Sequence, residues 1–242
     1  MPGVFGYLAA TRHPLPCLLF LLPLLVGYEA GVLWLGGTDP DAVRNGADTW
    51  LRWGLESFGL AQLYGLPVLV TLLFLTWSWW RWWERPDDLP GVLAGMALES
   101  ILFALGLCGL SRTLGPMLDR LGVALQTSTW PEGLRHAVTY LGAGIYEELL
   151  FRMLLFGGLL ALLQILGAPW LAAAALAAAA SSLLFAAAHH AGPYGEPFER
   201  CVFLFRTLAG LYFVVIYQLR GFGIAVGAHA CYDVLVDSFT SG

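Results

Sequence analysis

Lysine is absent from this 242-residue chain. All twelve basic residues are arginine, and charged side chains make up only 12% of the sequence. With so little charge, a net −5 and no basic stripe, the chain lacks the electrostatic footprint of a nucleic-acid binder, and no nucleic-acid partner is expected. Cysteine is scarce too. Cys17, Cys108, Cys201 and Cys231 lie far apart in apolar segments with no CxxC pair. That argues against a disulfide frame or a cysteine-ligated zinc and leaves them as small hydrophobes. HExxH, which places two zinc-binding histidines on one helix face, is missing. No domain boundary, internal repeat or low-complexity linker is evident apart from the alanine-rich stretch 171–190.

What is present is apolar. The chain is 58% hydrophobic, with a mean hydropathy of +0.71, far from the soluble average. Its long apolar runs can each cross about 30 Å of hydrocarbon as a helix. They lack the alternation of barrel strands, and backbone groups must find partners inside the bilayer, so helices follow. Spans are expected at 14–37, 58–80, 91–114, 136–164, 169–190, 198–219 and 222–239. The expected fold is all-α: a polytopic transmembrane bundle of about seven to eight membrane helices in one integral membrane domain over residues 1–242.

The first run follows Arg12 and His13 in the manner of a signal peptide. It continues to about Gly37 without a convincing cleavage site and is read as a retained span. Residues 38–57 set Asp39, Asp41, Arg44, Asp48, Arg52 and Glu56 among Trp50, Leu51, Trp53 and Leu55, the pattern of an amphipathic helix lying on the membrane. WSWWRWWERPDD (77–88) has the composition of an interfacial aromatic belt. A polar loop is expected at 115–133, and the arginines are spread too evenly to assign an orientation.

Three apolar segments carry polar groups that a membrane helix does not hold without cause. In GAGIYEELLFRMLL (142–155), Glu148 and Arg152 are four apart and can pair on one face, while Glu147 is turned away. Glu147 is then either a general acid or base, or a protonated group hydrogen-bonded to a neighbouring helix. The alanine-rich stretch 171–190 ends in Phe185, His189 and His190, its small residues allowing close helix approach. GAHACYD (227–233) places His229 and Asp233 one turn apart, where a carboxylate can orient an imidazole. Buried polar groups need partners, and one shared cavity supplies them all. Together they have the parts for splitting an amide with water.

The order EExxxR (Glu147, Glu148, Arg152), FxxxH (Phe185, His189) and HxxxD (His229, Asp233) resembles the CPBP family, the CAAX-processing and bacteriocin-processing intramembrane endopeptidases, also called Abi proteins. The resemblance covers about residues 136–239, an expected catalytic core, and leaves residues 1–130 as family-variable helices without a matching motif. It implies an intramembrane endopeptidase of the glutamic type, with no cofactor. By that resemblance Glu147 and His189 activate water, His229 and Asp233 form the oxyanion site, and Glu148, Arg152 and Phe185 support them. The type II CAAX endopeptidases have asparagine where this chain has Asp233, so this aspartate is either protonated or orients His229. His189, in register with FxxxH, is preferred to His190.

Two other readings use the same side chains. Glu147, His189 and His229 are the ligand set if a metal such as zinc is bound. A non-enzymatic transporter or immunity-type protein would use the cluster to carry protons or hold a partner. The resemblance implies a membrane-associated polypeptide substrate, cut near a lipidated C-terminus or a C-terminal sorting tail. GFGIAVGAHACYD (221–233) resembles the myxosortase subgroup of short bacterial chains. A multi-pass protein of a bacterial or archaeal cytoplasmic membrane is expected.

Overall fold

The apolar runs fold into helices, and no strand occurs among the described residues, which in this computed structural model are 4–59, 65–119, 133–192 and 195–240. In chain order the helices are α1 (Val4–Ala10), α2 (Pro14–Gly36), α3 (Gly46–Glu56), α4 (Gly65–Trp80), α5 (Leu89–Asp119), α6 (Gly133–Gly142), α7 (Gly157–Ile165), α8 (Trp170–Ala188), α9 (Arg200–Arg220) and α10 (Phe222–Thr240). Between α6 and α7 the chain stays helical through two π-helical segments, Ala143–Glu147 and Leu149–Phe156.

Each expected span falls on helix. Pro14–Gly36, Leu89–Thr113, His136–Ile165, Trp170–Ala188 and Arg200–Arg220 are long and apolar enough to cross a bilayer. Their outward faces are apolar, as Leu98 and Ile101 on α5 and Leu171 and Leu176 on α8 illustrate. The span expected at 58–80 is the shorter apolar helix α4, and residues 60–64 lie outside the described residues. The span expected at 222–239 is α10, whose apolar stretch is interrupted by His229, Asp233 and Asp237. Residues 221–230 are all buried, so this helix meets protein where the others meet lipid, and polar side chains on it find partners. It packs against α5, α9, α6 and the first π-helical segment. Of the polar loop expected at 115–133, residues 120–132 lie outside the described residues, and α5 is helical up to Asp119.

Two features fix α10 at the centre. At its start, Gly221 turns the chain with φ +96°, a left-handed conformation that glycine adopts without steric cost, and the turn lies close to the Thr11 carbonyl. One residue earlier, Arg220 makes a bidentate pair with Glu99 of α5, both bonds 2.7 Å, tying α9 to α5.

Residues 38–57 add to the sequence expectation. They do form a short 3-10 turn (Pro40–Val43) and the amphipathic helix α3, and the polar side chains of Arg44 and Asp48 are turned inward while Trp53 and Glu56 stay exposed. Asp48 is fully buried and accepts hydrogen bonds from Arg44 (2.8 Å), Arg52 (2.6 Å) and Tyr28 (2.9 Å). Glu29 of α2 pairs with the same two arginines at 3.4 and 3.0 Å and accepts from Tyr146 at 3.0 Å. The physical reason is the company the polar face keeps. A carboxylate in the middle of α2 must be neutralised, and the two arginines of this segment are within reach.

Candidate active site

The helix carrying Glu147 and Glu148 lies directly on α10. A Cβ at Gly144 would stand 2.8 Å from the Ala230 Cβ and 2.9 Å from the Val226 carbonyl oxygen, so only glycine permits this approach. The stretch is π-helical where the sequence reads as regular helix, a local widening often found at functional sites.

Glu147, His189, His229 and Asp233 come from three separate helical stretches and meet here. The Glu147 Oε2 atom lies 3.8 Å from His189 Nε2 and 3.8 Å from His229 Nε2. Those gaps are too long for hydrogen bonds and suit a water between the groups. The other carboxylate oxygen, Oε1, accepts a 3.0 Å hydrogen bond from the Asn45 side-chain amide.

Both imidazoles are oriented through Nδ1. His189, the residue that ends α8, donates from Nδ1 to the Phe185 carbonyl at 2.9 Å, since a carbonyl can only accept. This leaves Nε2 facing Glu147. His229 donates from Nδ1 to Glu148 Oε1 at 2.7 Å. The sequence reading pairs Glu148 with Arg152, and the structure adds a second partner. Glu148 does both: its Oε2 lies 3.2 Å from Arg152 Nε while Oε1 holds the histidine. Asp233 lies on the other side of the ring, its Oδ2 3.6 Å from Nε2.

Aromatic rings wall the site. Phe185 meets His189 edge to face at 4.9 Å and His229 at 6.0 Å, and it carries the Arg152 guanidinium 4.3 Å above its ring. Phe213 of α9 stacks on His229 with centroids 4.6 Å apart. Burial gives the site a dry and a wet side. The Glu148 and Arg152 side chains are 0% and 1% exposed, whereas those of His189 and Asp233 are 24% and 21% exposed.

His190 points elsewhere. It donates to the Glu196 carbonyl at 3.0 Å and packs against Phe198 and Phe203. Glu196 itself is held by Arg206 at 2.8 and 2.9 Å; partial burial pushes its carboxyl up, but these bonds outweigh that and leave it below the usual range.

Glu147, His189 and His229, the set offered for a metal, do face one another. Each histidine keeps Nε2 free for a ligand, yet no group of three or more His, Cys, Asp or Glu among the described residues has the arrangement of a metal site.

Sequence reasoning missed Asn45, Phe213 and the buried Glu29. Glu29 carried a signal, as an acidic residue in the middle of the first apolar run. Phe213 carried none, being one aromatic among many.

A model of the family described as type II CAAX prenyl endopeptidase Rce1-like matches residues 129–235, a segment that contains Glu147, Glu148, Arg152, Phe185, His189, His229 and Asp233. No curated protein and no solved structure compared with the chain matches it.

Proposed function

Residues 129–235 match the model of the Rce1-like family of type II CAAX endopeptidases, and from that premise we propose a specific chemistry for this intramembrane protease. Water bound between Glu147 and His189 is deprotonated by Glu147 and attacks a peptide carbonyl. Neutral His189, with its hydrogen on Nδ1, accepts the second water hydrogen at Nε2 and so aims a lone pair at the substrate. His229 donates from Nε2 to the developing oxyanion, its Nδ1–H anchored on the Glu148 carboxylate. Asp233, as a protonated carboxyl, adds a second donor. The proton taken by Glu147 passes to the leaving amine.

The observation that carries this reading is the position of one atom. Glu147 Oε2 lies equally far, 3.8 Å, from two imidazoles whose other nitrogens are already committed. A dry wall of Glu148, Arg152 and Phe213 behind these groups strengthens every charge interaction in front of them. The substrate is a membrane-associated polypeptide cut near its C-terminus, as in a lipidated CAAX end, or in a membrane-proximal segment such as a sorting tail.

The test uses the full chain in lipid nanodiscs with two probes, a farnesylated peptide ending in a CAAX sequence and an unprenylated peptide with a hydrophobic C-terminal tail. The wild type cleaves at least one of them at a single bond identified by mass spectrometry, and Glu147→Gln cleaves neither. Cleavage survives exhaustive chelation. Wild-type turnover by Glu147→Gln, or loss on chelation that zinc restores, overturns the proposal.

A further inference from the structure

We infer that Asn45 is a positioning residue for the Glu147 carboxylate, an assignment that rests on the hydrolytic reading above. Asn45 is the sole asparagine of the chain and lies 102 residues before Glu147, outside the segment that matches the family. It is the N-cap of α3.

Its polar groups are each engaged. The backbone N–H donates to the Tyr28 hydroxyl at 3.1 Å, the side-chain Oδ1 accepts from the Ala47 N–H at 2.8 Å, and Nδ2 donates to Glu147 Oε1 at 3.0 Å. The capping bond settles which way the amide points. Only oxygen can accept from a backbone N–H, so while Oδ1 caps the helix the NH2 group must face Glu147. The helix cap and the bond to the carboxylate are thus two ends of one rigid group.

Pinning Oε1 determines where Oε2 goes. A glutamate side chain left to itself samples several rotamers, and a partial rotation of the carboxylate would turn its oxygen away from the imidazoles. With Oε1 held by Asn45, Oε2 is presented to both imidazoles. The buried pairs of Arg44, Arg52, Asp48 and Glu29 fix where α3 begins, and with it the amide. Ion pairs of this kind add little net stability for their desolvation cost, and registering one element on another is their best-attested use.

Two variants separate positioning from mere capping. Asp and Ser are both good N-caps, Asp ranking with Asn, so a purely structural Asn45 predicts that Asn45→Asp behaves as wild type. Positioning predicts the opposite order. Asn45→Ser removes the NH2 group that reaches Glu147, and Asn45→Asp sets a second carboxylate against Glu147. Both are assayed as full chains in nanodiscs on the farnesylated CAAX peptide, beside Glu147→Gln. The expected result is a kcat lowered about 10- to 100-fold in Asn45→Ser and further in Asn45→Asp, with KM near wild type in both and Tm near wild type in Asn45→Ser. A second readout needs no substrate. The Glu147 carboxylate stretch, isolated as the infrared difference between wild type and Glu147→Gln, shifts in Asn45→Ser. Wild-type kcat in Asn45→Asp, or an unmoved band, overturns the assignment while an inactive Glu147→Gln leaves the hydrolytic reading standing. If Glu147→Gln is active or the wild type leaves the peptide intact, the reading of the reaction on this substrate fails, and the infrared band alone decides Asn45.

Discussion

His229 and Glu148, 81 residues apart in the chain, are joined by a 2.7 Å hydrogen bond at the buried centre of the bundle. The acceptor is a carboxylate, so Nδ1 of His229 carries the hydrogen and Nε2 is turned to the cavity. Glu148→Gln keeps the shape but removes the charge that anchors the ring. Cleavage by this variant falls about 10- to 100-fold in kcat, as expected for loss of a charge-assisted bond, with KM little changed. An unaltered kcat would show that Glu148 does not orient His229.

The same carboxylate neutralises Arg152, whose side chain is 1% exposed and rests on Phe185. Arg152→Leu leaves Glu148 with the histidine as its one described cationic neighbour in a dry wall. Breaking a buried pair from one side costs about 3–5 kcal/mol, so the variant's melting temperature in detergent drops well below wild type. Unchanged thermal stability would contradict the pairing.

Gly144 permits the contact between the glutamate-bearing helix and α10. In Gly144→Ala the added methyl meets Ala230 and the Val226 carbonyl and pushes Glu147 and Glu148 away from His229. Overpacking costs about 1–3 kcal/mol, and misplacing reacting groups by about 1 Å costs about 100-fold in rate. The variant is therefore folded, less stable and almost inactive. Gly158→Ala, where a Cβ meets nothing within 4 Å, is the control and retains both stability and activity.

Asp233 stands 3.6 Å from His229 Nε2, where the type II CAAX endopeptidases resembled by this chain carry asparagine. An amide and a protonated carboxyl both donate a hydrogen to an oxyanion. Asp233→Asn consequently keeps cleavage within about threefold of wild type, and Asp233→Ala loses about 100-fold in kcat. Equal activity in the alanine variant would remove Asp233 from the oxyanion site.

Much of this site was legible because it is written in local spacing. Glu148 with Arg152, Phe185 with His189, and His229 with Asp233 are each four residues apart, and each set sits in a run too apolar to hold it idly. What spacing cannot reveal is which side chains meet across the bundle. The bond from Glu148 to His229 competes with nothing in the sequence, and the local i,i+4 partner Arg152 satisfied the same carboxylate on paper.

The segment 38–57 hid its polar partners for a related reason. One polar and one apolar face describe a helix lying on a membrane and equally a helix closing a polar cavity, and periodicity does not say what the polar face meets. The clue was outside the segment, in Glu29. A buried acid on α2 needs cations, and Arg44 and Arg52 supply them.

The central claim is that Glu147 acts on water and never bonds to the substrate. A single turnover in oxygen-18 water tests it, with one oxygen tracked in the new carboxyl terminus of the product and in the enzyme peptide containing Glu147. The account predicts one oxygen-18 in the product and none in Glu147. Label in the Glu147 carboxylate after that first turnover would mean an acyl-enzyme and would contradict it.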